Sequence, residues 1–161
     1  LISKVFKLTG VSLDLKMPMI GFARRMTAYK RPDILFADIV RLKEIARQQP
    51  FQIVMSGKAH PSNAGGKVRI AELHQHIKEL VGTIPAAYLP YYDLTIALDL
   101  IAGSDVWLNT PLRPFVASGS SGMKAAINGV PSLSVLDGWW IEGCIEGVTG
   151  WAIGDEKAGS A

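Results

Sequence analysis

Met19-Ile20-Gly21-Phe22-Ala23-Arg24-Arg25-Met26-Thr27-Ala28-Tyr29-Lys30-Arg31-Pro32-Asp33 opens on five residues apolar enough for a buried strand and closes on residues suited to a helix start. A short apolar run of this kind fits a strand covered on both faces. Pro32 and Asp33 suit the first positions of a helix. Leu35, Ile39, Leu42 and Ala46 then return to one helix face, with Asp38, Arg41, Lys43 and Arg47 largely elsewhere. Phe51 to Met55 is a second buried strand, ended by Gly57. Strand, helix, strand in that order is the unit of a parallel sheet.

The alternation continues downstream. A loop over Lys58 to Gly66 leads to a helix with Ile70, Leu73, Ile77, Leu80 and Val81 on its apolar face. Ala86 to Leu89 is a weaker third strand, and Asp93 is a candidate N-cap for a helix over Leu94 to Ile101. Val106 to Leu108 is a fourth strand; a Pro-rich loop then leads to an alanine-rich helix containing Lys124, and Pro131 to Leu136 is a fifth strand. The Gly-rich segment Asp137 to Gly154 is expected to be irregular or short-stranded. The predicted fold is α/β, a doubly wound parallel sheet of Rossmann-like type over residues 18–154, with 1–17 as a lead-in and 155–161 as a tail. Both ends read as cuts from something longer. Ligands of such sheets bind beyond the carboxyl ends of the strands. Arg24 to Pro32, Lys58 to Gly66 and Asn109 to Gly122 all follow strands, so they are expected on one rim.

Composition narrows the classes of function. At 161 residues, 48% hydrophobic and 19% charged, the chain suits one globular domain with a substantial core. A net charge of +3 with scattered basic residues argues against nucleic acid as a partner. Cys144 stands alone, which suits a reducing compartment and a cytoplasmic location. Lys4, Lys7 and Asp14 interrupt any signal-like stretch, and no apolar run approaches a membrane span. His74 and His76, two apart on a helix, point to different faces, and no metal site is expected. Gly65-Gly66-Lys67 lacks the following Ser or Thr and the spaced first glycine of a phosphate-binding P-loop. Cys144 has no basic neighbour and reads as inert. Trp107, Trp139, Trp140 and Trp151 could stack on sugars, but their contexts favour packing.

Two segments carry chemistry. Ala117-Ser118-Gly119-Ser120-Ser121-Gly122-Met123-Lys124-Ala125-Ala126 runs from a small-residue turn into a helix. The N–H groups of such a turn and the positive end of the helix seat a phosphate, and a lysine in the first turn behind it can reach the phosphate's owner. An amine beside an anion seat suits pyridoxal phosphate, whose aldehyde it would hold as an imine. The plainer alternative is a capping loop with a solvated lysine. The other segment is the cluster Arg24, Arg25, Lys30 and Arg31, which is either a solvated face or, at a sheet rim, a grip for dianions.

Gly21 to Arg31, Gly57-Lys58-Ala59-His60-Pro61, Asp105-Val106-Trp107-Leu108-Asn109-Thr110-Pro111, Ala117 to Lys124 and Leu133-Ser134-Val135-Leu136-Asp137-Gly138-Trp139-Trp140 occur in this order. Together they resemble the C-terminal catalytic domain of the bacterial α-glucan (glycogen, starch, maltodextrin) phosphorylases, over roughly residues 19–154. The resemblance implies the second half of a two-Rossmann-domain glycosyltransferase architecture. It implies that orthophosphate cleaves a terminal α-1,4 glucosyl unit with retention, releasing glucose 1-phosphate. It also implies pyridoxal 5'-phosphate held as an imine to Lys124, with the cofactor's phosphate exchanging a proton with the substrate phosphate.

Residue by residue, the resemblance implies that Arg24 and Lys30 neighbour the cofactor phosphate and that Arg25 grips the substrate phosphate. Arg25 and Lys30 would thus be the catalytic cations. Ser120 and Ser121 would offer backbone amides to the cofactor phosphate, Tyr92 would lie near the pyridine ring, and Ser118 and Gly119 would bind sugar hydroxyls. His60 is placed near the site without a role. Val116 stands where the family has a sugar-binding glutamate, which implies weaker sugar binding, a changed substrate or lost activity. Asp93 replaces a basic residue found in some relatives. The family's first domain lies outside this sequence, so the segment is expected to carry the cofactor half of an active site and to be inactive alone. Homodimers are common in the family. Two rival readings remain: a nucleotide-sugar glycosyltransferase of the same architecture, using Arg25 and Lys30 for a diphosphate, and a non-catalytic glucan- or partner-binding module.

Overall fold

The computed structural model describes residues 1–116 and 118–154. Six strands, β1 (Met19–Arg25), β2 (Gln52–Lys58), β3 (Ala86–Leu89), β4 (Val106–Asn109), β5 (Ser132–Val135) and β6 (Gly150–Ile153), form one sheet in the order β3-β2-β1-β4-β5-β6. All five pairings are parallel. This order, reversing direction between β1 and β4, is that of the Rossmann-like doubly wound fold expected from the sequence.

Period-two alternation divides the core. Phe22, Ile53, Met55, Tyr88 and Leu108 point to one face, and Ala23, Val54, Ala87, Leu89 and Trp107 to the other. Leu42 and Ala46 of α2 (Ile39–Gln48) and Leu73 of α3 (Ala64–Glu79) cover the first face. Val5 of α1 (Ile2–Thr9), Ile96, Leu100 and Ile101 of α4 (Leu94–Ala102) and Ala125 of α5 (Ser120–Ile127) cover the second. A short α6 (Trp140–Gly143) precedes β6. No helix among the described residues is long and apolar enough to cross a membrane.

Several boundaries differ from the sequence reading. Residues 1–17, expected as a lead-in, include α1, whose Val5 is fully buried. A 3-10 turn occupies Ile34–Phe36, and α2 begins behind Asp38, whose carboxylate accepts from the Arg41 N–H at 2.8 Å. The expected loop over Lys58 to Gly66 is shortened at both ends: β2 runs to Lys58, and Asn63 caps α3 by accepting from Gly66 N–H at 2.9 Å. Asp93 caps α4 as expected, accepting from Ile96 N–H at 2.8 Å. The expected tail, 155–161, lies outside the described residues.

Candidate functional site

β1 carries Arg24 and Arg25 to its carboxyl end, in register with Gly57 and Lys58 of β2. β4 ends at Asn109 on the other side. The helix after β1 packs on one face and the helix after β4 on the other, so a crevice opens between these two strand ends. A cavity of about 650 Å³ lies there. Arg24, Arg25 and Lys30 line it from the β1 side, and Ser120, Ser121 and Lys124 from α5. Tyr92, Ser118 and Gly119 complete the polar part of its wall, Val116 adds a buried apolar patch, and Leu94, Leu98, Phe115 and Ile127 add an exposed apolar rim. The ten residues to which the resemblance gives a role all line this one cavity, whereas Arg31 and His60 do not.

Arg24 is the anchor. It is only 6% exposed, and its Nη2 donates to Asn109 Oδ1 and, at 3.3 Å, to Ser121 Oγ. Its Nε and Nη1 are buried with no hydrogen-bond partner among the described residues. Buried donors without acceptors are rare and call for a physical reason. A guanidinium lining a cavity with two free donors suits an anionic occupant. Burial lowers its pKa to about 10, which leaves it cationic at neutral pH.

Lys30 is half-buried, its ammonium 4.6 Å from the centre of the Tyr29 ring. Burial first, then repulsion from Arg24 and Arg25, lowers its pKa to about 8, with Asp137 opposing the shift. Arg31, the fourth cation of the cluster, serves structure instead. Its Nε and Nη2 donate to the Thr110 and Pro111 carbonyls at 3.0 and 2.8 Å, while Thr110 Oγ1 donates to the Arg31 carbonyl at 2.8 Å. This lacing ties the loop after β1 to the loop after β4 and so sets the width of the crevice.

Gly119, at φ 82°, turns the chain into α5, and no side chain caps that helix. The Gly122 N–H donates to the Gly119 carbonyl at 3.0 Å, and the N–H groups before it have no acceptor within the helix. Lys124 sits in the second turn, not the first as expected, and is exposed toward the cavity. Gly122 allows α5 to dock: a Cβ there would lie 2.9 Å from Trp139 Nε1 and 3.1 Å from Asn109 Nδ2. Burial raises the Tyr92 pKa against the opposing pull of Arg24.

Other expected features fall elsewhere. The loop after β2 shares the rim by register, but it packs on the strand-exit turn rather than lining the cavity; Met26 N–H donates to the Lys58 carbonyl at 3.1 Å. His60 is exposed and pairs with Ser62 at 2.6 Å. His74 tilts against Tyr88 and His76 stacks on Phe36. Among the described residues no group of three or more His, Cys, Asp or Glu is placed to hold a metal. Trp107 and Trp140 are buried, Trp139 packs on the glycine turn, and Trp151 is partly exposed on β6. Burial and Glu146 raise the Cys144 pKa, in keeping with an inert thiol.

Two residues of the site were not singled out from the sequence. Asn109 receives Arg24, and Asp137 accepts from Val116 N–H at 3.0 Å. Both lie at or just beyond the carboxyl end of a strand (β4 and β5), which is the positional signal that could have found them.

Fold and site together define a Rossmann-like domain with a cationic cavity at its topological switch point. The chain is 50% identical to a glycogen phosphorylase of Aquifex aeolicus over 150 residues, 91% of this chain and 21% of the relative. It is 45% identical to a maltodextrin phosphorylase of Thermococcus litoralis over 149 residues, 90% of this chain and 18% of the relative. It is 42% identical to a glycogen phosphorylase of Mycobacterium tuberculosis over 146 residues, 89% of this chain and 17% of the relative. Over these residues the chain is similar to glycogen and maltodextrin phosphorylases. It spans about a fifth of the length of the curated relatives it matches. No protein-family model matches it.

Proposed function

We propose that this chain supplies the cofactor side of a cytoplasmic, pyridoxal 5'-phosphate-dependent α-glucan phosphorylase, which releases glucose 1-phosphate from α-1,4-glucan. The carrying observation is the buried Arg24 guanidinium, with two unpartnered donors, on the cavity that also receives Lys124 and the start of α5. These residues fit the cofactor: cationic donors and a glycine turn for a phosphate, and an amine for an aldehyde. Lys124 would anchor it covalently, Arg24, Lys30 and the Ser120 and Ser121 amides would hold its phosphate, and Tyr92 would flank its ring. When bound, the cofactor contributes an acid–base phosphate beside the substrate.

Arg25 would orient orthophosphate by two parallel hydrogen bonds. Two phosphates brought together repel, and Arg24, Arg25 and Lys30 would offset that repulsion. In the reaction a phosphate oxygen bonds to C1 of the terminal glucosyl unit as the C1–O4 glycosidic bond breaks. The departing O4 takes up the proton brought by the orthophosphate. Ser118 and Gly119 would hold the sugar. Val116 is buried at the same wall and offers no acceptor, which favours weaker sugar binding than an acidic residue would give. Glucan, orthophosphate, the family's remaining domain and a second copy of the full protein are the proposed partners.

The test is covalent labelling. Pyridoxal 5'-phosphate added to the chain and reduced with borohydride should modify Lys124 in preference to the other lysines, and the Lys124→Ala variant should lose the bound chromophore. Scattered labelling with an unchanged spectrum in the variant would reject the cofactor. Release of glucose 1-phosphate from maltodextrin, by the chain alone and by the full-length protein, tests the reaction.

A further inference from the structure

The turn between β5 and α6 takes no direct part in the ligand wall described above, yet it grips the loop that does. Asp137 is 7% exposed, and both its oxygens are engaged. Oδ2 accepts from Val116 N–H at 3.0 Å, and Oδ1 accepts from Gly138 N–H at 2.9 Å. Trp139 N–H donates to the Ser118 carbonyl at 3.0 Å. Gly138 has φ 58°, and a Cβ there would lie 2.8 Å from the Ser118 carbonyl oxygen, so the two segments meet backbone to backbone. The Trp139 ring closes on Gly119 and Gly122. Loop and turn thus form one unit, tied at Val116 and at Ser118.

We propose that Asp137 is a positioning residue of the cavity, its buried carboxylate fixing the loop at Val116 and supplying the negative charge that balances the cations of the β1 exit. The proposal rests on the reading of the cavity as a phosphate site. The charges acting on Lys30 come from Arg24 and Arg25 on β1 and from Asp137 after β5, and Lys124 of α5, Tyr29 and Tyr92 line the same cavity. Asp137 opposes the lowering of the Lys30 pKa by burial and by the two arginines. Replacing it by asparagine leaves one of the two N–H groups without an acceptor and removes that charge.

The experiment measures inorganic phosphate binding to the 161-residue chain between pH 6 and 10, in wild type and Asp137→Asn. Affinity should fall about tenfold at neutral pH, the effect of losing one charge-assisted hydrogen bond, and the pH at which binding fades should move downward from the wild-type midpoint. A purely structural role would weaken binding equally at every pH, so an unmoved midpoint overturns the proposal, as does an unchanged affinity. Amide hydrogen exchange on the wild type covers the case of a variant that does not fold. Slow exchange at Val116 and Gly138 is expected, and rapid exchange at Val116 overturns the proposal without any substitution. If pyridoxal phosphate fails to label Lys124 while phosphate binding still responds to Asp137→Asn, the cofactor reading fails and the positioning role stands.

Discussion

The loops that leave β1 and β2 begin in register, Arg25 beside Lys58, and both are polar, yet only one of them builds a cavity. The difference lies in the helices that follow. Behind β1 and β2, α2 and α3 pack on the same face, so the exit of β2 is covered and its loop rests on the Met26 turn. Between β1 and β4 the following helices diverge to opposite faces, and the gap is left open. Identical strand geometry therefore gives a ligand wall or a packed loop according to where the chain goes next. Charge follows the same division: Arg24 is buried at the gap with donors unpaired, whereas Lys58 is exposed.

The comparison breaks most readily at these two cations. Arg24→Met should weaken phosphate binding by roughly a hundredfold, since truncating a buried charged partner costs about 2–5 kcal/mol of binding. Stability should change by less than ~1 kcal/mol, because relief of an unpaired buried guanidinium opposes the loss of its bonds to Asn109 and Ser121. Lys58→Met should leave stability within about 0.5 kcal/mol and affinity within about twofold. Phosphate titration and urea unfolding of the two variants check both. Equal losses of affinity would mean that the switch point does not concentrate the field.

The same contrast explains what was legible in the sequence. Apolar runs and helical periodicity fix the order of elements, and the doubly wound order then places the loops after β1 and β4 together, so the sequence alone joins Arg24, Lys30 and Lys124. Where local signals fail, tertiary contacts have overridden them. Gly65 and Gly66 argue against a helix start, yet a Cβ on Gly66 would lie 2.5 Å from the Met26 carbonyl oxygen, so close packing excludes a larger residue there. β6 hides in a Gly-rich stretch because Gly150, at φ 149°, abuts the Ser132 backbone with no space for a side chain. α1 turns Ile2 and Val5 to the core, but it spans only eight residues, too short a window for the period to stand out. Asn109 and Asp137 escaped notice because their roles are to hold other residues, and no motif marks a partner across the sheet.

Two glycines at helix starts sharpen the comparison further. Gly122→Ala should destabilise the domain by about 1–3 kcal/mol, because its Cβ would press on the Trp139 ring and on the buried Asn109. Phosphate affinity should fall with it as α5 is pushed from Arg24. Gly65→Ala meets only Asn63 Oδ1 and the far end of Arg69, each at 3.6 Å. There the substitution should stabilise by about 0.5–1 kcal/mol through reduced chain entropy in the unfolded state, with no effect on binding. Thermal unfolding of both variants with and without phosphate separates the two cases.

The smallest effect expected is also the one with opposite signs in stability and in binding. The Lys30 pKa is lowered from 10.5 to about 8, so between those values the unfolded chain holds more protons than the folded one. Stability of the ligand-free domain should therefore rise with pH across that window. The contribution is complete above 10.5 and lost as pH falls to about 8. Under the proposed role of Lys30 in holding phosphate, affinity should be full below about 8 and decline as pH rises. Lys30 is only half-buried, and solvent screening keeps the stability term small. Urea unfolding at pH 7.5 and 10, compared between wild type and Lys30→Met, isolates it from the other titrating groups. The slope should flatten in the variant, while phosphate added at pH 7.5 should protect the wild type more strongly. Parallel slopes would mean that the Lys30 ammonium is as well solvated in the fold as in the open chain.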